Sequence, residues 1–99
     1  MIDLLSKIYV DLNELVIRKV SHDKEILSTR IIKEHTKICE YCFNIKSSNK
    51  DKNYMLEFKV NIKYILFILN YFISKKIINN DVYKIIEKEY KDLYYIINP

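Results

Sequence analysis

The sequence contains no glycine, and its single proline is the last residue, Pro99. Glycine supplies the positive φ angles that tight hairpin turns and phosphate-binding loops use. Its absence argues against an all-β fold, a P-loop protein and a dinucleotide-binding fold. A chain of 99 residues is also the length of one domain. We therefore expect a single domain, 1–99, whose secondary structure is helical.

The chain also lacks a long apolar run and cysteines that could join distant segments. The run 64–69 is far shorter than the ~18–20 residues that a membrane span needs. Cys39 and Cys42 are three residues apart, so a disulfide between them could not staple the fold. The first residues show no basic segment before an apolar run, so no signal peptide is predicted. We expect a reduced, cytoplasmic protein.

The segment 54–73 is the most apolar stretch and predicts a helix with two apolar faces. The first face recurs at three- and four-residue steps: Met55, Phe58, Ile62, Ile65, Leu66, Leu69, Phe72 and Ile73. A second face recurs in the same way: Val60, Tyr64, Phe67 and Tyr71. Lys59, Lys63 and Asn70 form a narrow polar stripe between them. Such a helix either lies in the centre of a bundle or meets another subunit through its second face.

Three further helices are predicted around this one: the first at about 2–19, the second at about 24–45, and the last after the break at 79–81. Their core positions share the helical period: Leu5, Ile8, Leu12, Leu15 and Val16; Leu27, Ile31, Ile38, Cys42 and Ile45; Val82, Ile86, Tyr90, Leu93 and Ile97. Breaks are predicted at 21–23, at the polar segment 46–53 and at 79–81, where Asn79 or Asn80 caps the last helix. Four helices with short connections predict an all-α, antiparallel, up-down-up-down four-helix bundle.

The candidate chemical groups do not form a catalytic set. His35, Cys39 and Cys42 share a helix face at a spacing that could present three ligands to zinc, but a structural zinc site needs a fourth ligand. We interpret the cysteines as core residues and His35 as a residue at the core edge. Glu87 and Glu89 fall on different sides of their helix and are interpreted as parts of a solvated face. No catalytic residue, metal or cofactor is predicted.

Positive charge is the other recurring feature, and the net charge is +4. Seven basic positions on the first three helices are candidates for binding nucleic acid: Arg18, Lys19, Arg30, Lys33, Lys37, Lys59 and Lys63. A one-sided basic face would attract phosphates. The alternative is an ordinary solvated surface in a lysine-rich chain.

The order of these patterns resembles a family of small four-helix bundle proteins. The similar parts are a first helix ending in LVIRKV, Arg30 near the start of the second helix, and the segment ILFILNYFISKKIINNDVYKIIEKEYKDL. The family includes the accessory variability proteins of diversity-generating retroelements and the proteins encoded in ribosomal RNA intervening sequences. The resemblance implies a homo-oligomer, commonly a pentamer, with a basic surface for RNA or DNA. For the retroelement branch it also implies a reverse transcriptase partner.

A second resemblance leads to a different class of protein. The segment KKIINNDVYKIIEKEY is also similar to the bacteriocin immunity proteins, which are small, basic helical bundles. That resemblance implies a monomer acting on a membrane receptor–peptide complex. The favoured interpretation is a non-enzymatic, homo-oligomeric, nucleic-acid-binding bundle with Val60, Tyr64, Phe67 and Tyr71 at the subunit interface.

Overall fold

The computed structural model describes residues 1–19, 25–44 and 52–98, except for the side chains of 19 and 52–54. The described residues form four α-helices: α1 (Ile2–Lys19), α2 (Glu25–Asn44), α3 (Lys52–Ser74) and α4 (Asn80–Ile97). Each helix packs against its neighbours in sequence, and α4 closes the ring against α1. Consequently α1 lies diagonally across the bundle from α3. The predicted all-α four-helix bundle is confirmed.

One core joins all four helices. Its buried residues include most of the predicted core positions: Leu5, Ile8, Leu12, Leu15, Ile31, Ile38, Cys42, Phe58, Ile65, Leu69, Phe72, Ile86, Tyr90, Leu93 and Ile97. Val16, Leu27 and Val82 pack against this cluster and are partly buried. Burial of each large apolar side chain contributes about 1.5–3 kcal/mol. The helical period therefore identified the inward side of every helix.

The connection between α3 and α4 is fixed by backbone and side-chain hydrogen bonds. The amide of Ile77 donates to the carbonyl of Phe72 at 2.9 Å, and the amide of Lys76 donates to that of Ile73 at 2.9 Å. This is the Schellman arrangement, and Lys76 takes the left-handed position with a φ of 60° in a chain without glycine. Asn79 then caps α4, because its side-chain oxygen accepts from the amide of Val82 at 3.0 Å.

The predicted loop before α3 needs correction. Helix α3 begins at Lys52, so Lys52 and Asn53 are helical and not part of a loop, because a first turn needs no apolar residue. The rest of that predicted loop, 46–51, lies outside the described residues, as do Lys24 and Ile45 at the predicted ends of α2. Glu87 accepts a hydrogen bond from the Tyr83 hydroxyl at 3.2 Å. The polar stripe of α3 faces α4, where the Asn70 amide donates to the same hydroxyl at 3.4 Å.

Candidate nucleic-acid interface

The predicted basic positions lie on three different surfaces of the bundle. Arg18 belongs to α1, and Lys59 and Lys63 belong to the diagonally opposite α3. Arg30, Lys33 and Lys37 follow α2 between them. The structure therefore does not unite the described basic side chains into one face.

The α1 surface carries both signs of charge. Arg18 lines a cleft against α4 together with Lys7, Asp11 and Glu14. Two carboxylates beside two cations leave little net potential for a phosphate. Lys19 ends α1, and its side chain lies outside the described part of the chain.

The row on α2 is partly neutralised by a carboxylate beneath it. The Glu34 side chain is almost fully buried, and its Oε1 lies 3.0 Å from Arg30 Nε and 3.5 Å from Lys37 Nζ. The Arg30 guanidinium also lies 4.9 Å from the centre of the Tyr64 ring on α3. These contacts tie Arg30 to its own bundle, and they leave Lys33 as the exposed cation of this row without such a contact among those described.

A groove between α3 and α4 collects three lysines from two helices. The groove has a volume of about 330 Å³, and we call it the lysine groove. Its lining residues are Lys59, Ile62, Lys63, Leu66, Glu87, Tyr90, Lys91, Tyr94 and Tyr95. Glu87 is the only carboxylate of this lining, so the described lining carries a net positive charge. Lys91 was absent from the sequence prediction because it stands on a different helix from Lys59 and Lys63.

Tyrosine rings form the other half of the lysine groove. Lys59 Nζ lies 5.3 Å from the centre of the Tyr94 ring. The hydrogen bond from Asn98, followed by that from Lys59, lowers the pKa of the Tyr94 hydroxyl. Tyr95 meets Tyr94 edge-on, with ring centres 6.0 Å apart, and is 62% exposed. The i, i+3, i+4 spacing of Lys91, Tyr94 and Tyr95 was a signal in the sequence that could have placed them on one surface.

The second apolar face of α3 lies on the side of the helix that meets α2. Val60, Tyr64 and Phe67 are exposed, and Phe67 is 70% exposed. Tyr71 is partly buried and packs against the core. Within one bundle, therefore, α3 is not enclosed on all sides. The arrangement in which α3 lies enclosed in the centre of a single bundle is therefore wrong, and the arrangement in which another subunit covers its second face stays a prediction.

His35 is a structural link inside the core and not a residue at its edge. Its ring is fully buried; Nε2 lies 3.2 Å from the Leu5 carbonyl oxygen on α1, and Nδ1 lies 2.7 Å from the Tyr90 hydroxyl on α4. Nε2–H donates to the carbonyl and the tyrosine hydroxyl donates to Nδ1, which defines a neutral tautomer. Burial lowers the pKa of His35, although the bond to Leu5 acts in the opposite direction.

Both cysteine side chains stay protonated as thiols at neutral pH. Burial raises the pKa of the Cys42 thiol to about 12 and also raises that of Cys39. Both ring nitrogens of His35 already have partners. Among the described residues, no group of three or more histidine, cysteine or acidic side chains is placed to hold a metal ion.

The prediction of a solvated face is wrong for Glu89. Its residue surface is only 8% exposed, and its carboxyl group lies in the seam between α4 and α1. Lys7 Nζ lies 3.4 Å from Glu89 Oε2, so the cation beside this carboxyl group comes from a helix 82 positions away in sequence.

None of the described helices is long and apolar enough to cross a membrane.

No family model, no curated protein and no solved structure matches this chain. The resemblance to accessory variability proteins therefore stays a prediction from the residues quoted above. Among the surfaces of the described residues, the lysine groove has the largest excess of positive charge beside aromatic rings.

Proposed function

We propose that this protein is a non-enzymatic four-helix bundle that binds nucleic acid in the lysine groove and assembles with copies of itself. The observation that supports the binding site is the convergence of Lys59, Lys63 and Lys91 beside the exposed ring of Tyr95. An accessory role beside a reverse transcriptase follows from the family resemblance alone.

The composition of the groove favours an unpaired strand over a duplex. Proteins that bind single strands combine a positive groove for the phosphates with aromatic rings on which bases stack. Tyr95 offers such a ring, and lysines on α3 and α4 flank it. A base inside a duplex has both faces covered by its neighbours and could not stack on this tyrosine.

Removing two lysine charges from the groove tests the binding site. We expect Lys59→Gln/Lys63→Gln to weaken binding of a single-stranded RNA or DNA oligonucleotide. Loss of two phosphate contacts should also lower the slope of log K against log salt by about 1.4. Tyr95→Ala should weaken binding by about 5- to 150-fold, since stacking is worth about 1–3 kcal/mol per base. Fluorescence anisotropy at several salt concentrations measures both quantities.

The matched control removes two charges from the other basic row. Lys33→Gln/Lys37→Gln changes the net charge by the same amount and leaves Arg30 to pair with Glu34. We expect this variant to keep most of the affinity. If it loses binding while the groove variant does not, the site lies on α2. If the wild-type protein does not bind either oligonucleotide at low salt, the nucleic-acid proposal is wrong.

The exposed apolar face of α3 supports self-association. Val60, Tyr64 and Phe67 follow one another along this face, and large apolar patches on a surface mark interaction sites. A copy of the same chain offers the same apolar patch, so a symmetric contact could cover it. These are three of the four positions predicted for the interface, and the fourth, Tyr71, is already partly covered by its own bundle.

A charge placed on this face should dissociate the assembly. We expect wild-type protein to scatter light as a multiple of the single-chain mass, and Phe67→Glu to scatter as one chain. Ile17→Glu is the matched control, because Ile17 is 71% exposed on the opposite helix α1. A wild-type monomer at high concentration, or dissociation by Ile17→Glu alone, would contradict this interface.

A further inference from the structure

The seam between α1 and α4 contains two carboxyl groups that share one lysine. The ammonium group of Lys7 contacts both Asp11 on α1 and Glu89 on α4. Glu89 Oε1 is buried and has no donor within reach among the described residues. If both carboxyl groups were ionised, one of the two negative charges would lack a matching cation beside the buried Glu89 oxygen, and a proton on either group avoids this cost.

We infer that Asp11 and Glu89 share one proton, and that this proton stabilises the packing of α1 against α4. When it leaves at higher pH, the seam gains a second buried negative charge and the folded state is weakened. The stability of the contact between α1 and α4, which closes the ring of four helices, therefore depends on pH.

Lys7 only partly compensates the pair. Its Nζ lies 2.9 Å from Asp11 Oδ2 and 3.4 Å from Glu89 Oε2. One cation balances one carboxylate, and the Lys7 side chain is largely exposed, so water screens its attraction. Further along the α1 side of this seam, Glu14 and Arg18 add one charge of each sign. A second ionised carboxylate would therefore remain without a matching charge in the seam.

In the described part of the chain, the other elements around α4 place no further cation against Glu89. From α2, His35 is neutral and bonded to Tyr90, and burial keeps the Cys39 thiol protonated. The lysines of α3 line the groove with Glu87. On α4 itself, Lys88 lies 3.8 Å from Asp92.

The proton belongs to Glu89. Burial, reinforced by Asp11, raises the pKa of Glu89 from 4.5 to about 7. Burial also acts to raise the pKa of Asp11, but the hydrogen bond from Glu89 and the nearby Lys7 outweigh it, and that pKa is lowered. Because the folded-state pKa of Glu89 exceeds its unfolded value, its contribution to stability is fully present below pH 4.5 and is lost as pH rises through about 7.

The test compares wild-type protein with Glu89→Gln, which keeps the shape and cannot ionise. Between about pH 5 and about pH 8, the unfolding equilibrium constant of wild type should rise on the order of 100-fold relative to that of the variant. Denaturant unfolding at each pH gives this ratio. Glu57→Gln, at an exposed carboxylate on α3, is the control and should leave the pH dependence unchanged.

A measurement on the wild-type chain makes the test independent of any variant's folding. Carbon NMR of the Glu89 carboxyl group should show a titration midpoint near 7, and Asp11→Asn should shift this midpoint downward. A wild-type midpoint near the ordinary 4.5, or unfolding curves of wild type and Glu89→Gln that stay parallel across pH, would overturn the shared proton.

Discussion

Replacing His35 with alanine should lower the free energy of unfolding by about 3–5 kcal/mol. The ring is fully buried and connects three helices through the Leu5 carbonyl oxygen on α1 and the Tyr90 hydroxyl on α4. Its removal leaves a cavity, and it also leaves the buried Tyr90 hydroxyl without an acceptor. Chemical denaturation monitored by circular dichroism measures the change.

A double substitution separates the polar contribution from the packing contribution. In His35→Leu/Tyr90→Phe, both partners become apolar, so no buried polar side chain of this pair is left unsatisfied. We expect the double variant to be clearly more stable than His35→Leu alone. Comparing the unfolding free energies of wild type, His35→Leu, Tyr90→Phe and the double variant gives the coupling energy between the two side chains. If the two substitutions destabilise additively, the hydrogen bond between His35 and Tyr90 does not contribute as argued.

The same histidine gives stability a pH dependence of the opposite sign to that of Glu89. The pKa of buried His35 lies below its ordinary 6.5. As pH falls below 6.5, the unfolded chain therefore binds a proton at this residue before the folded chain does. Its contribution is complete above pH 6.5 and is lost as pH falls toward the folded-state pKa. The double variant should lack this acid-side loss while keeping the alkaline loss assigned to Glu89.

The helical period was enough to predict the apolar core but not the polar contacts inside it. Leu5, Ile8 and Leu12 were placed correctly because an apolar stripe repeats along one helix. His35 was placed at the core edge because its partner Tyr90 is 55 residues away, and nothing local shows that a buried imidazole will find a donor. Glu89 was interpreted as solvated for the same reason.

The candidate interface shows a similar limit. Lys59 and Lys63 could be grouped from sequence because they are four residues apart on one helix. Their association with Lys91 depends on how α3 packs against α4, and periodicity within a helix carries no information about that pairing. The sequence also could not show that Glu34 is buried beneath Arg30 and Lys37 and neutralises part of their charge.

Two phenylalanines on α3 should respond very differently to the same truncation. Phe58→Ala should lower the free energy of unfolding by about 3–5 kcal/mol, because Phe58 is fully buried. Its ring stacks on Tyr41 of α2 with centres 4.7 Å apart and lies 6.5 Å from Tyr94 of α4, so three helices lose contacts together. Phe67→Ala should change the same quantity by no more than about 0.5 kcal/mol, because Phe67 is largely exposed.

The comparison is made at a protein concentration low enough for single chains to dominate. Under that condition Phe67 has no partner chain to cover it, and its truncation removes little buried surface. At high concentration, association is measured instead of unfolding. Phe67→Ala should then have the larger effect, because it removes apolar area from the proposed interface while Phe58 stays inside its own bundle. A large loss of single-chain stability from Phe67→Ala would show that this ring supports the fold, and it would remove the reason for assigning the exposed face of α3 to self-association.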